Sequence, residues 1–143
     1  MRAIRVDQVA LAVDDLAGAV HFFSEVLGLE LTDRELGERD GVDEVTFDGG
    51  ACKLQLLGST RADSPIERFL ERRGPGLHHI ALEVDDLEAF LRHLRGHGVR
   101  LIDERPRLGG GGAMVAFLHP ASTHGSLVEL VQAPPPGDAR SGD

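Results

Sequence analysis

The sequence has little of several things, and each scarcity excludes a class of protein. Its 143 residues include one cysteine, Cys52, so no internal disulfide can form. It has no Trp and no Tyr, and stacking on bases would depend on six Phe residues. No apolar stretch approaches the roughly 20 residues needed to cross a bilayer, and the N-terminal MRAIRVDQ lacks the apolar core of a signal peptide. We therefore expect a cytoplasmic protein without a membrane partner.

Basic residues are also few. The chain has 15 Lys and Arg against 24 Asp and Glu, a formal net charge of -9. A surface of that sign repels polyanions, so we predict no nucleic-acid partner. The length corresponds to about one domain, and 41% apolar residues suffice for one buried core.

What the chain does contain is an internal repeat. The tetrapeptide VDDL at residues 13–16 recurs at residues 84–87. Three further pairs of segments match: 8–12 with 79–83, 44–47 with 114–117, and 54–57 with 128–131. This alignment pairs Glu44 with Met114. It predicts two modules, at about residues 4–57 and 77–132, within one domain of residues 1–132. Residues 133–143 have the composition of a disordered tail.

Each module predicts a strand, a helix and then further strands. In the first strand Val9, Leu11 and Val13 alternate with smaller or polar residues, and this bulky set should face the helix. The helical spacing that follows begins at an Asp14 or Asp15 cap.

Local signals also predict a linker helix at about residues 64–73. Ser64 is a suitable N-cap, Pro65 suits the first helical position, and Gly74 suits the end. We therefore expect an α+β fold in which two tandem βαβββ modules form a curved mixed sheet with a shared cleft.

Four polar residues occupy matching strand positions on the less bulky face of the two modules: Gln8 and His79 on the first strands, Gln55 and Glu129 on the last. A carboxylate such as Glu129 is costly to bury without a partner. Imidazole, carboxylate and amide oxygen together suit Zn²⁺, Co²⁺, Ni²⁺ or Mn²⁺. Taken singly, His79 could be a hydrogen-bonded core histidine and Glu129 could pair with an arginine. Their matching placement favours a divalent metal site.

Several segments carry a family resemblance through their order and spacing: DSPI at 63–66, GLHHIA at 76–81, GVRLIDE at 98–104, FLHP at 117–120 and VELV at 128–131. Together they resemble the vicinal oxygen chelate (glyoxalase/bleomycin resistance/dioxygenase) superfamily, and within it the methylmalonyl-CoA epimerases. The resemblance covers about residues 6–131. It implies one metal ligand from each of four strands, and these fall on Gln8, Gln55, His79 and Glu129. Gln8 stands where the epimerases usually have histidine.

The resemblance also implies two catalytic glutamates, Glu44 and Glu129. The α-hydrogen of a malonyl thioester is acidic, and a divalent ion that chelates the substrate oxygens stabilises the enolate. Epimerisation then needs one group to remove a proton and a second to return one on the opposite face. We therefore expect a metal-dependent methylmalonyl-CoA epimerase, and the resemblance implies a homodimer. Without it, Glu44 reads as an exposed residue of an edge strand.

By the same resemblance, Arg107, Gly110, Gly111 and Ser122 contact the acyl-CoA substrate, and the glycine run at 109–112 forms a mobile loop over it. Taken alone, a glycine run is more often a simple turn.

Two other functions stay open. A glyoxalase-type lyase or isomerase that acts on a thiol adduct is favoured by Gln8 and opposed by Gln55. A non-enzymatic ligand-binding protein of the same fold, as in bleomycin resistance, would bind its ligand without metal or turnover.

Overall fold

A computed structural model of the chain describes residues 1–38 and 40–136. They divide into two compact units. The first unit is Gln8–His78, and the second combines Met1–Asp7 with the chain from His79 onward. The predicted tail lies outside the described residues from residue 137 on, and the single domain of residues 1–132 stays a prediction. No helix among the described residues is long and apolar enough to cross a membrane.

The first unit follows the predicted order of strand, helix and strands. Its elements are β1 (Arg5–Val13, whose first three residues belong to the second unit), α1 (Leu16–His21) with a π-helical turn (Phe22–Val26), β2 (Glu30–Gly37), β3 (Val42–Asp48), β4 (Lys53–Ser59) and α2 (Pro65–Arg73). The strand order is β2-β3-β4-β1. β3 is antiparallel to both of its neighbours, whereas β1 is parallel to β4.

Helix α1 covers one face of these strands. Its N-cap is Asp15, the second of the two predicted caps, whose carboxylate accepts a hydrogen bond from Gly18 N at 3.0 Å. Leu11 and Val13 of β1 join the cluster that packs Val20 and Phe23 against three fully buried residues, Val45, Phe47 and Leu56. The prediction that the bulky set faces the helix is confirmed for Leu11 and Val13.

Helix α2 lies over the opposite face, at the predicted linker position. The Ser64 hydroxyl accepts from Glu67 N at 3.0 Å and shares a second hydrogen bond with the Ser59 hydroxyl at 2.7 Å. Ile66 is buried against Ala10 and Ala12 of β1, whose small side chains allow the close approach. Capping chemistry is local in sequence, so the helix boundary was predictable.

The second unit repeats the pattern with shorter strands. Its elements are β5 (Gly76–Glu83, whose first three residues belong to the first unit), α3 (Leu87–Gly96), β6 (Arg107–Leu108), β7 (Met114–Leu118) and β8 (Val128–Gln132), in the strand order β5-β8-β7-β6. Asp86 caps α3 by accepting from Ala89 N at 3.1 Å. Leu87 and Leu91 of α3 pack on Leu130 of β8, so α3 covers one face of these strands.

The pairing of strands in the structure gives an alignment of the two modules that differs from the alignment of their sequences. Gln55 lies opposite Thr46 on β3, and Glu129 lies opposite Phe117 on β7. Residues directly opposite each other in an antiparallel pair share a face. Since Gln55 and Glu129 correspond, Thr46 corresponds to Phe117.

The predicted match of Glu44 with Met114 is therefore wrong by one residue. The structural counterpart of Glu44 is Val115, two residues before Phe117. The sequence alignment matched residue types without knowing which strand each segment pairs with. A slip of one residue moves a side chain to the other face of a strand, so the correction decides which residues share the face of Glu44.

Candidate metal site and active site

His79 and Glu129 lie together in the second unit, as the sequence predicted. Glu129 sits opposite Ala81 in the parallel β5/β8 pair, and His79 precedes Ala81 by two residues on the same face. The distance from His79 Nε2 to Glu129 Oε1 is 3.4 Å, and the two side chains are only 6% and 10% exposed. Helix α3 covers the opposite face. The fold thus buries an imidazole and a carboxylate side by side, away from its main apolar core.

Phe117 extends this pair toward Arg107. The Phe117 and His79 rings pack edge to face, with centroids 5.4 Å apart. Phe117 also contacts Arg107, whose guanidinium lies over the ring at 5.4 Å from its centroid. That distance is within the range of a cation–π interaction. Arg107, predicted to bind substrate, is therefore joined to the His79–Glu129 pair through one aromatic ring.

Gln55 and Glu44 meet in the first unit. Gln55 Nε2 lies 3.3 Å from Glu44 Oε1 and 3.5 Å from Thr46 Oγ1. An ionised carboxylate only accepts hydrogen bonds, so the amide nitrogen of Gln55 must face Glu44. The amide oxygen is then the atom that Gln55 can offer to a cation.

Gln8 lies on the same face as Gln55. In the parallel β1/β4 pair Ala10 is opposite Gln55, and Gln8 precedes Ala10 by two residues. Gln8 is half-buried. Each unit therefore carries two of the four predicted metal ligands on neighbouring strands, on the face away from α1 or α3.

These side chains fit a divalent ion by their chemistry. Among the described residues, no group of three or more His, Cys, Asp or Glu is arranged to hold a metal; the predicted set has only two such residues, because its other two donors are amides. Imidazole, carboxylate and amide oxygen are all ligands of borderline divalent ions. A set with a single negative charge, on Glu129, would leave a bound dication with net positive charge toward an anionic ligand.

The remaining predicted substrate residues lie in turns. Gly110 and Gly111 belong to the tight connection between β6 and β7, which Gly109 N closes on Ala113 O at 2.8 Å. Gly111 has φ 65°, a conformation that favours glycine.

The hydroxyl of Ser122 accepts from the backbone N of Arg100 at 2.8 Å. Ser122, in the connection between β7 and β8, thus contacts the segment that follows α3. Arg107 is the residue of this predicted set that contacts Phe117 and, through that ring, the His79–Glu129 pair. Contacts of Gly110, Gly111 and Ser122 with substrate stay predictions.

Three residues of this site were not predicted from the sequence: Thr46, Asp103 and Phe117. Asp103 accepts from Arg107 Nε at 3.1 Å and from Phe117 N at 2.8 Å. The period of two from Glu44 would have indicated Thr46. Phe117 was hidden by the one-residue slip in the repeat alignment.

Comparison with known proteins decides the family. A family model described as the glyoxalase/bleomycin resistance protein/dioxygenase superfamily matches residues 7–117. The chain belongs to this superfamily. Its predicted α+β fold class is confirmed, because solved methylmalonyl-CoA epimerases match most of the chain in structure.

Relatives within the superfamily include epimerases. The chain is 41% identical over 134 residues to the uncharacterised protein YqjC of Bacillus subtilis (strain 168), covering 94% of each chain. It is 38% identical over 130 residues to the mitochondrial methylmalonyl-CoA epimerase of Homo sapiens, covering 90% of this chain and 74% of the human one. A solved methylmalonyl-CoA epimerase in complex with methylmalonyl-CoA and NH4+ matches with a TM-score of 0.86 at 38% identity, over 94% of this chain and 97% of that one. The expectation of an epimerase-type isomerase is confirmed.

Proposed function

We propose that this superfamily member is a metal-dependent epimerase that interconverts the (2R) and (2S) forms of methylmalonyl-CoA. The observation that carries the proposal is the buried His79–Glu129 contact of 3.4 Å, which places a metal-ligating imidazole beside a carboxylate that can also exchange a proton. The relatives of named function support the substrate, since one of them is solved with methylmalonyl-CoA.

The residues that would hold the metal ion are the four predicted ligands, Gln8, Gln55, His79 and Glu129. A divalent ion there supplies Lewis-acid stabilisation of the negative charge that develops on the substrate oxygens. Gln55 suits the role of a metal ligand because its amide nitrogen donates to Glu44, which leaves the amide oxygen to coordinate the ion. The ion's identity, among Co²⁺, Zn²⁺, Ni²⁺ and Mn²⁺, is part of what metal analysis must decide.

Glu44 and Glu129 would carry the protons. In each direction one carboxylate begins ionised and accepts the α-proton, while the C–H electron pair delocalises into the thioester. The other begins protonated and delivers its proton to the opposite face of the planar carbon, which inverts the configuration. The burial of Glu129, and the hydrogen bond that Glu44 makes with Gln55, hold both carboxylates in defined positions.

The test is isotope exchange. One epimer of methylmalonyl-CoA, incubated in D₂O with the protein and each candidate metal, should racemise with uptake of one α-deuterium. No exchange above that of a Glu44→Ala control would refute the epimerase. Turnover of the methylglyoxal–glutathione adduct instead would favour the glyoxalase-type alternative, and tight ligand binding without metal or turnover would favour the binding protein.

The proposal includes a homodimer in the cytoplasm. Size-exclusion chromatography with light scattering tests the dimer, and fractionation of the source cells tests the location. A monomer at micromolar concentration would remove the dimer from the proposal and leave the chemistry unchanged.

A further inference from the structure

Asp103 makes two hydrogen bonds that tie Arg107 to strand β7. Its Oδ2 accepts from the backbone N of Phe117 at 2.8 Å, and its Oδ1 accepts from Arg107 Nε at 3.1 Å. The Asp103 side chain is mostly buried, whereas the Arg107 side chain is 54% exposed. One carboxylate therefore joins an exposed guanidinium to a backbone amide in the sheet.

This arrangement leaves the two Nη groups of the Arg107 guanidinium for a ligand. A guanidinium has five N–H donors in a rigid fork. Asp103 uses the Nε donor, and one face of the group lies over Phe117. Within residues 1–38 and 40–136, no acceptor hydrogen-bonds to either Nη atom of Arg107. Paired donors in this geometry match a carboxylate or a phosphate.

The location connects this donor pair to the proposed chemistry. The Phe117 and His79 rings pack edge to face with their centroids 5.4 Å apart, and the Arg107 guanidinium lies over the Phe117 ring, 5.4 Å from its centroid. Asp103 therefore fixes Arg107 relative to the strand whose aromatic ring also packs on a proposed metal ligand.

We propose that Asp103 is a positioning residue, which holds Arg107 ready to bind an anionic group of the substrate. That group is the carboxylate of the acyl part or a phosphate of CoA, two oxyanions with the same bidentate chemistry. An arginine held in place before binding loses less side-chain entropy when the ligand arrives. The inference rests on the proposed function, because it assumes an acyl-CoA substrate.

Asp103→Asn tests the contact with little change in shape. The asparagine keeps an oxygen for the Phe117 amide, but it presents an NH₂ group, which cannot accept from Arg107 Nε. We expect KM to rise about five- to tenfold with kcat within about twofold, since a tenfold change corresponds to about 1.4 kcal/mol of lost binding. The matched control is Glu104→Gln, which removes a neighbouring charge from a side chain that is 69% exposed. It should leave KM within about twofold.

A double-mutant cycle separates positioning from a structural role. If Asp103 acts through Arg107, Asp103→Asn should add almost nothing to the KM of Arg107→Ala. An equal further loss in that background, or the same loss in Glu104→Gln, would overturn the inference. Thermal unfolding of each variant shows whether the fold is intact.

Two truncated ligands identify the anionic group by calorimetric titration. Methylmalonyl-pantetheine keeps the carboxylate and lacks the CoA phosphates, while propionyl-CoA keeps the phosphates and lacks the carboxylate. The Asp103→Asn penalty should persist for one and vanish for the other. If the unaltered protein binds no acyl-CoA, the proposed function fails together with this inference. If it binds and epimerises methylmalonyl-CoA and Asp103→Asn matches it, only the inference fails.

Discussion

Glu44→Gln is expected to stop proton transfer while preserving the hydrogen bond that orients Gln55. The structure gives Glu44 two distinct tasks, because its carboxylate is a proposed proton carrier and its Oε1 also lies 3.3 Å from Gln55 Nε2. Glutamine in place of Glu44 retains an oxygen that accepts from Gln55, but it has no carboxyl group to accept or deliver the α-proton. Glu44→Ala removes both functions.

Both variants should lose catalytic rate, but only Glu44→Ala should also weaken metal binding. Loss of a general acid or base lowers the rate by about 10²- to 10⁴-fold, or about 3–5 kcal/mol of transition-state stabilisation. The contact with Gln55 is long for an N–H···O hydrogen bond, so Glu44→Gln should change the free energy of unfolding by less than about 1 kcal/mol. Glu44→Ala should lose a comparable rate and in addition weaken metal binding, because the Gln55 amide is no longer held.

The assay is the initial rate of α-deuterium incorporation from D₂O, followed by mass spectrometry at fixed metal. Metal content is measured on each variant. Glu30→Gln is the control, because this substitution removes the same charge from an exposed residue. Glu30 is the first residue of edge strand β2, whereas Glu44 pairs with Glu35 of that strand. If Glu44→Gln kept more than about a tenth of the rate while Glu44→Ala lost it, Glu44 would only orient Gln55, and the proposed proton transfer would be refuted.

Three further predictions concern metal affinity and stability. Gln8→His should tighten divalent metal binding by about tenfold in competition with a chelator, because imidazole binds borderline ions better than an amide oxygen; unchanged affinity would exclude Gln8 as a ligand. Leu91→Ala should lower the free energy of unfolding in urea by about 2–5 kcal/mol, because Leu91 is 1% exposed in the core under α3; a loss below about 1 kcal/mol would contradict that packing. Ser64→Ala should cost about 1–2 kcal/mol by thermal unfolding, because it removes the cap of α2 and the partner of the Ser59 hydroxyl. An unchanged melting temperature in Ser64→Ala would show that the cap contributes nothing.

Helix boundaries were the part of the fold most readable from the sequence. The start of α2 followed from Ser64 and Pro65, and its end from Gly74, whose φ is 73°. These signals act over three or four residues, so no distant part of the chain can override them easily. The alternation in β1 could be predicted for the same reason.

Strand register was readable only in part. The sequence paired Gln55 with Glu129 correctly, since each is a lone polar residue in an apolar run, but it paired Glu44 with Met114. On β3 and β7 residue similarity favours a match one position away from the one that strand pairing makes. Register is decided by hydrogen bonding between strands that are distant in sequence.

The sequence by itself determined the two βαβββ modules, their caps and the four polar positions on the less bulky face. Periodicity and capping carry that information locally. Only the tertiary structure decided which side chains touch: His79 with Glu129, Gln55 with Glu44, and Asp103 with both Arg107 and the Phe117 amide. Such contacts depend on which strands pair and on how a loop folds back on them, and neither leaves a mark in any short stretch of sequence.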